Sequence, residues 1–324
     1  MIISSSNIKN WSRIGSRATF GLAVIELAKE LSNLMVLTAD VSTSAGLDRF
    51  RRTYPDNYLD VGIAEQNMMG IATGLSSEGY NVFTTTFAPF QTMRCCEQIR
   101  VNLGYMKHKV TMVGLASGIV LGTLGNTHCC MEDIGVLRSI PNITIVSPCD
   151  GLEIVKSVFA AASYPGPLYI RLTGGINMPI INQEDYHFEI GKSITLRQGT
   201  DITIISNGMM VKQSLMAAEI LESKGISASV VNMHTIKPLD LEAIDNAAKT
   251  KLIVTIEEHN VIGGLGSAIA EYKSTLKNAP PHVILGLKDE FGTPGEYQYL
   301  LDKYGLTGEK IAKAILLKWQ EYYE

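Results

Sequence analysis

Apolar positions recur along the chain in two alternating rhythms. From Ala18 to Leu31 they stand at Phe20, Val24, Leu27 and Leu31, the three- and four-residue spacing of one helix face. Leu34-Met35-Val36-Leu37-Thr38 is instead a continuous apolar run, as expected of a strand buried on both faces. The same reading predicts a helix over Glu65 to Ser77, rich in small residues and so expected to be largely buried, then a strand over Tyr80 to Thr85. Further strands are expected over Val110 to Leu115, Ile143 to Ser147 and Leu168 to Leu172, with Asp150 placed to cap a helix reaching Ser163. From Gly174 to Gly199 the rhythm gives way to turn and polar residues. A second series follows, with strands over Ile202 to Ser206, Ser227 to Val231, Leu252 to Ile256 and Val283 to Leu285. Its helices are Val211 to Lys224, Leu239 to Ala248 and Ser267 to Leu276.

Alternating helices and strands predict an α/β protein with helices on both faces of parallel sheets. The interruption divides it into a first domain over 1–180, a linker over 181–198 and a second domain over 199–324, with no sequence repeat between the two.

Composition narrows the class without naming a chemistry. With 324 residues, 46% of them hydrophobic and 19% charged, the chain has ample material for a core, which excludes disorder. A formal charge of −4 provides no global field for nucleic acid or an acidic membrane. The first residues, Met1 to Ser6, lack the features of a signal peptide, and no apolar run approaches membrane-spanning length, so a cytoplasmic location is expected. Five cysteines, two pairs of them adjacent (Cys95-Cys96 and Cys129-Cys130), make a poor disulfide framework and read as small buried hydrophobes. His128-Cys129-Cys130 has no accompanying Cys-x-x-Cys, so no metal ligation is expected. There is no Walker loop; Gly263-Gly264-Leu265-Gly266 opens a helix and could offer amides to an anion, but reads better as a tight turn with close packing.

The informative segment is Asp60-Val61-Gly62-Ile63-Ala64-Glu65-Gln66-Asn67-Met68, which sets a carboxylate at the start of an apolar helix. An acidic residue there can simply favour the positive end of the helix dipole, or it can hold a proton for transfer in apolar surroundings.

Together with Leu37-Thr38-Ala39-Asp40, Thr85-Thr86-Phe87, Gly125-Asn126-Thr127-His128 and Leu137 to Asn142, this segment resembles the transketolase family. Ile236-Lys237-Pro238-Leu239-Asp240 and Glu257 to Gly266 extend the resemblance through the second half, so nearly the whole chain is covered. The resemblance implies a thiamine diphosphate-binding fold of the pyrimidine type, followed by an α/β domain of the transketolase C-terminal type. It also implies what this sequence lacks: the Gly-Asp-Gly motif and downstream Asn that hold Mg2+ in the diphosphate-binding domain. The chain therefore resembles the second subunit of a split transketolase, its partner being a separate N-terminal subunit that carries that domain and the metal. A two-plus-two heterotetramer follows from the family's paired sites.

Residue by residue, the resemblance makes Glu65 the glutamate that hydrogen-bonds the aminopyrimidine ring nitrogen and so promotes loss of the thiazolium proton. It sets Phe87 and Phe90 around the aminopyrimidine, with Met93 where some relatives place a third aromatic, and Asp40 near the cofactor. His128 faces the reacting sugar, while Arg17 and Ser44 help hold a substrate phosphate. Three positions depart from the family: Leu124 replaces an aspartate that contacts a sugar hydroxyl, Ala116 a histidine, and Gly174 a phosphate-binding arginine. The expected reaction moves a two-carbon ketol unit from a ketose to an aldose, a modified sugar being among the candidates. The beta subunit of a 2-oxo-acid dehydrogenase, a deoxyxylulose phosphate synthase-like enzyme and a non-catalytic stabilising subunit remain alternatives.

Overall fold

Runs of β-branched and apolar residues such as Val110–Leu115 and Ile202–Ser206 can be satisfied only between covering layers, and they form the centres of two sheets. The computed structural model describes residues 1–323. The first sheet contains β1 (Leu34–Thr38), β2 (Tyr58–Asp60), β3 (Asn81–Phe87), β4 (Val110–Leu115), β5 (Thr144–Val146) and β6 (Leu168–Arg171). The second contains β7 (Ile194–Arg197), β8 (Ile202–Ser206), β9 (Ala228–Asn232), β11 (Leu252–Asn260) and β12 (His282–Leu287). The remaining strand, β10 (Thr235–Lys237), crosses back to pair antiparallel with β5, giving the first sheet the order β10-β5-β6-β4-β3-β1-β2. The second runs β12-β11-β8-β9-β7, parallel except for β7 on β9.

Two features therefore cross the sequence boundaries. Ile194–Arg197, inside the 181–198 segment, is an edge strand of the second sheet, and Thr235–Lys237 completes the first. Further ties bind the halves: Asn232 donates to the buried Glu153 carboxylate at 2.9 Å, and Lys237 donates to the carbonyls of Arg138 (2.9 Å) and Ile140 (2.5 Å). Burial pushes Glu153 up to about 7, with the nearby Asp150 charge adding to the effect.

The helices supply the covering layers. α1 (Ser5–Ala28) is broken at Gly15, where φ is +85° and a Cβ would lie 2.3 Å from the Gly175 carbonyl oxygen. The predicted helix from Ala18 is thus the second half of this element, and it ends at Ala28 rather than Leu31. The first half was not foreseen; it packs Trp11 against Gly151 at the start of the helix Gly151–Ser163, which Asp150 caps by accepting from the Glu153 N–H. α2 (Glu65–Ser77) buries Glu65, Met68, Met69 and Ala72 on one face, while Gln66, Asn67, Gly70 and Gly74 are exposed. The expectation of a largely buried helix is corrected accordingly: its apolar residues occupy a single stripe. At the other end, α3 (Leu265–Lys273), α4 (Tyr297–Lys303) and α5 (Gly308–Tyr323) pack on the second sheet.

Among the described residues no helix is long and apolar enough to cross a membrane, and no group of three or more His, Cys, Asp or Glu side chains is placed to hold a metal ion. All five cysteines are free, and all but Cys96 are buried. The Gly263–Gly266 turn has a specific reason. The amides of Leu265 and Gly266 donate to the Glu257 carboxylate at 2.6 and 2.8 Å, and a Cβ on Gly264 would lie 2.0 Å from that carboxylate. The anion at this helix start belongs to the chain itself.

Candidate active site

β1, β2, β3 and β4 run parallel, so their carboxyl ends share one edge of the first sheet. Asp40 follows β1, Glu65 follows β2, Phe87 ends β3 and His128 lies on the long connection after β4. That topology brings residues scattered over about ninety positions of sequence to one edge of the sheet.

Glu65 is the first residue of α2 and is only 4% exposed. Its carboxylate accepts from the Arg94 guanidinium at 2.7 Å, and the same guanidinium lies 4.1 Å from the centroid of the Phe90 ring. Phe90 meets the His128 ring edge-on at 5.4 Å and Phe87 at 6.4 Å, and His128 lies 5.9 Å from Phe87. Glu65, Arg94, Phe90, His128 and Phe87 are thus one contiguous constellation. The Thr127 hydroxyl lies 3.0 Å from His128 Nδ1 and holds the ring's orientation. Met93, 40% exposed, and Leu124, 55% exposed, stand free enough to be covered by something else.

The residues present fit a flat, hydrogen-bonding heterocycle. A planar donor already rests against the Phe90 face with its N–H on Glu65, namely the Arg94 guanidinium. The same π face and carboxylate would serve an aminopyrimidine that took its place. Arg94 was missed in the sequence, where a charge within Phe87-Ala88-Pro89-Phe90-Gln91-Thr92-Met93-Arg94 was its only signal.

Asp40 has a different setting. Its φ is +57°, and its own N–H donates to Asp60 at 3.0 Å. The loop amides after β1 and β2 are satisfied by Asp60, which also accepts from Gly62 N–H at 2.9 Å and from the Thr38 hydroxyl at 3.0 Å. Burial raises the Asp60 carboxyl, but these donors outweigh it and hold the group below its ordinary value. The Asp40 side chain itself is exposed.

Arg17 and Ser44 meet in a second cleft of ≈ 320 Å³, which Glu65, Phe87, Phe90 and His128 do not line. The break at Gly15 opens it, and Thr43, Gly46 and Ile176 complete its walls. Gly174 lies beside this region with φ +77°, and a Cβ there would come 2.7 Å from Met209 Sδ. Met209 thus occupies the space into which a longer residue 174 would project. A larger cavity of ≈ 610 Å³, between the N-terminal helix and 180–185, contains none of the candidate site residues.

Two family profiles match the chain in order: "Transketolase, pyrimidine binding domain" over residues 12–176 and "Transketolase, C-terminal domain" over 191–311. A 6-deoxy-6-sulfo-D-fructose transketolase subunit from Clostridium sp. (strain MSTE9) is 39% identical over 302 residues, which span 92% of each chain. One of the apulose-4-phosphate transketolase subunits of Phocaeicola vulgatus is 38% identical over 304 residues, 94% of this chain and 97% of that one. Among solved structures, a split-gene transketolase described as an inactive beta4 tetramer superposes with a TM-score of 0.85 at 38% identity, over 94% of this chain and 97% of its own.

Proposed function

The chain belongs to the transketolase family, and on that premise we propose that it supplies the pyrimidine-binding half of a two-subunit, thiamine diphosphate-dependent transketolase. The observation that carries this reading is the Glu65–Arg94–Phe90–His128–Phe87 constellation at the carboxyl edge of the first sheet. Relatives of matching length named as transketolase subunits support a separate partner, which would bring the diphosphate-binding domain and Mg2+. The same names favour ketol transfer over 2-oxo-acid oxidation.

When bound, the cofactor supplies a stabilised carbanion on its thiazolium ring. This chain's own residues would act at the pyrimidine end and on the sugar. Glu65, nearly closed off from water, holds a proton toward the ring nitrogen of the aminopyrimidine. Phe87 and Phe90, edge to face at 6.4 Å, would pack around that ring, with Met93 as a third wall residue. His128, edge-on to both phenylalanines, presents a ring nitrogen to the sugar's oxygens. Asp40 borders the cofactor from the loop after β1, and Arg17 with Ser44 takes the far end of the substrate.

The substrate half supports a modified sugar. Arg17 contributes the charge of its cleft, Gly174 offers no second clamp, and Leu124 puts an exposed apolar side chain on the loop that carries His128. One charge-assisted contact fewer weakens phosphosugar binding roughly ten- to a hundredfold. Ketol transfer by the complex of this chain with its partner subunit tests both parts. Donors would be xylulose 5-phosphate, an unphosphorylated ketose and a 6-sulfonated ketose, with aldehyde acceptors in common. Transfer is expected only with both subunits present, and a modified donor should be used in preference to xylulose 5-phosphate. Efficient use of xylulose 5-phosphate and ribose 5-phosphate would overturn the modified-sugar reading, and no ketol transfer from any donor would overturn the function.

A further inference from the structure

The connection between β4 and β5 carries His128, and it is built by the second domain as much as by the first. It leaves β4 through two left-handed residues, Ala116 (φ +51°) and Gly118 (φ +76°). Its two legs are joined where Gly118 and Cys130 exchange backbone hydrogen bonds of 2.8 and 2.9 Å. The second domain reaches this junction through Asn260, whose N–H donates to the Met131 carbonyl at 2.8 Å, and through a buried carboxylate. Glu258, near the end of β11 and 1% exposed, accepts the Ile119 N–H at 2.8 Å on one oxygen and the Tyr297 hydroxyl at 2.7 Å on the other. Gly118 leaves the space for it, since a Cβ there would lie 2.2 Å from the same oxygen.

Tyr297 extends the grip. It opens α4, whose Leu300 fills the space over Gly122, while the Gly295 N–H donates to the Gly122 carbonyl at 3.0 Å and Asn126 donates to the Gly292 carbonyl at 2.7 Å. On its main-chain side, the Glu258 carbonyl accepts from Arg171 at 2.9 Å, and Arg171 is paired with Asp133 at the loop's far end. The Glu258 carboxylate thus holds the first leg of the His128 loop directly and joins it, through Tyr297, to the segment that grips the tip, while the loop's far end is tied through the Glu258 main-chain carbonyl and Arg171.

We infer that Glu258 is a positioning residue for the proposed transfer: by holding the Ile119 N–H and the Tyr297 hydroxyl together, it sets where His128 stands against Phe87 and Phe90. It does so from another domain and without touching the site. Packing alone does not call for a charge here, because an apolar side chain of similar size would fill the space without the desolvation cost. Burial pushes the Glu258 carboxyl up to about 7, against the pull of its two donors and of Arg171. The inference rests on the reading of His128 as the sugar-facing group, and its test separates the two.

Hydrogen exchange in the full-length chain reads the loop directly, with no cofactor or substrate. Glu258→Leu should speed exchange of the Ile119 amide and its neighbours over 117–130 roughly ten- to a hundredfold. Peptides from β1 and β8 should remain unchanged, and Glu258→Gln, which keeps an acceptor, should restore most of the protection. In the complex with its partner, Glu258→Leu should lower kcat/KM for the sugar at least roughly tenfold. Proton–deuterium exchange at the thiazolium carbon should stay as in the parent. Unaltered protection over 117–130, or loss of protection spread evenly through the second domain, would overturn the inference. So would a fall in thiazolium exchange equal to the fall in turnover. If Glu258→Leu does not fold, Tyr297→Phe decides by the same readouts, since it removes only one of the two bonds. If the parent complex transfers no ketol group, the functional reading fails while the exchange data still decide the anchor.

Discussion

Glu65→Gln is expected to lower turnover of the assembled enzyme about 100- to 10,000-fold, the cost of losing a positioned acid–base group. The substitution is nearly isosteric, and the amide oxygen can still accept from Arg94, now 2.7 Å from the carboxylate. Stability should change little, because the Arg94 side chain is 43% exposed and such a pair is screened by water. What the amide cannot do is hold a transferable proton at the ring nitrogen of the aminopyrimidine. Exchange of the thiazolium proton for deuterium, followed in the complex after rapid quenching, measures that step apart from any sugar. An exchange rate equal to that of the parent would reduce Glu65 to the first residue of a helix.

His128→Ala should leave the same exchange intact and cut kcat/KM for the ketose roughly 100-fold, as expected when one donor to a developing oxyanion is lost. The distinction follows from position. Glu65 lies at the carboxylate end of the constellation, and His128 lies past Phe90, 5.4 Å away ring to ring. The imidazole meets both phenylalanines by its edge, and Thr127 fixes its Nδ1 side. Proportional loss of exchange and turnover would mean that His128 acts on the cofactor and not on the sugar.

The parts of this protein that were legible in its sequence are those that local pattern determines. The strands Leu34–Thr38, Val110–Leu115 and Ile202–Ser206 and the helix Glu65–Ser77 stand where the apolar rhythm places them, because each is covered by neighbours that require that rhythm. β7 reads as linker in the sequence because an edge strand, half open to solvent, needs few apolar residues. The N-terminal turns of α1 were missed for a related reason: they bury mainly Ile8 and Trp11, and Trp11 is held by Gly151, far along the chain. At the site, motif runs pointed to Glu65, Phe87, Phe90 and His128, and parallel strands explain why they meet. Arg94 lies outside those runs, and Glu258, although inside the Glu257–Gly266 run, carried no sign of its role. Their partners lie 29 and 139 residues away, and no periodicity records a contact across that distance. Asp60, which no motif singled out for this role, accepts the loop amides of Asp40 and Gly62.

Calorimetric titration with thiamine diphosphate and Mg2+ tests most directly the claim that this chain is one half of a shared site. On that proposal the Glu65 carboxylate and the Phe87–Phe90 wall would take the pyrimidine end of the cofactor, and the partner would take the diphosphate and the metal. The chain alone should give weak binding or none, and addition of the partner subunit should produce tight binding of one cofactor per pair of chains. Tight, stoichiometric binding by this chain without the partner would contradict the account.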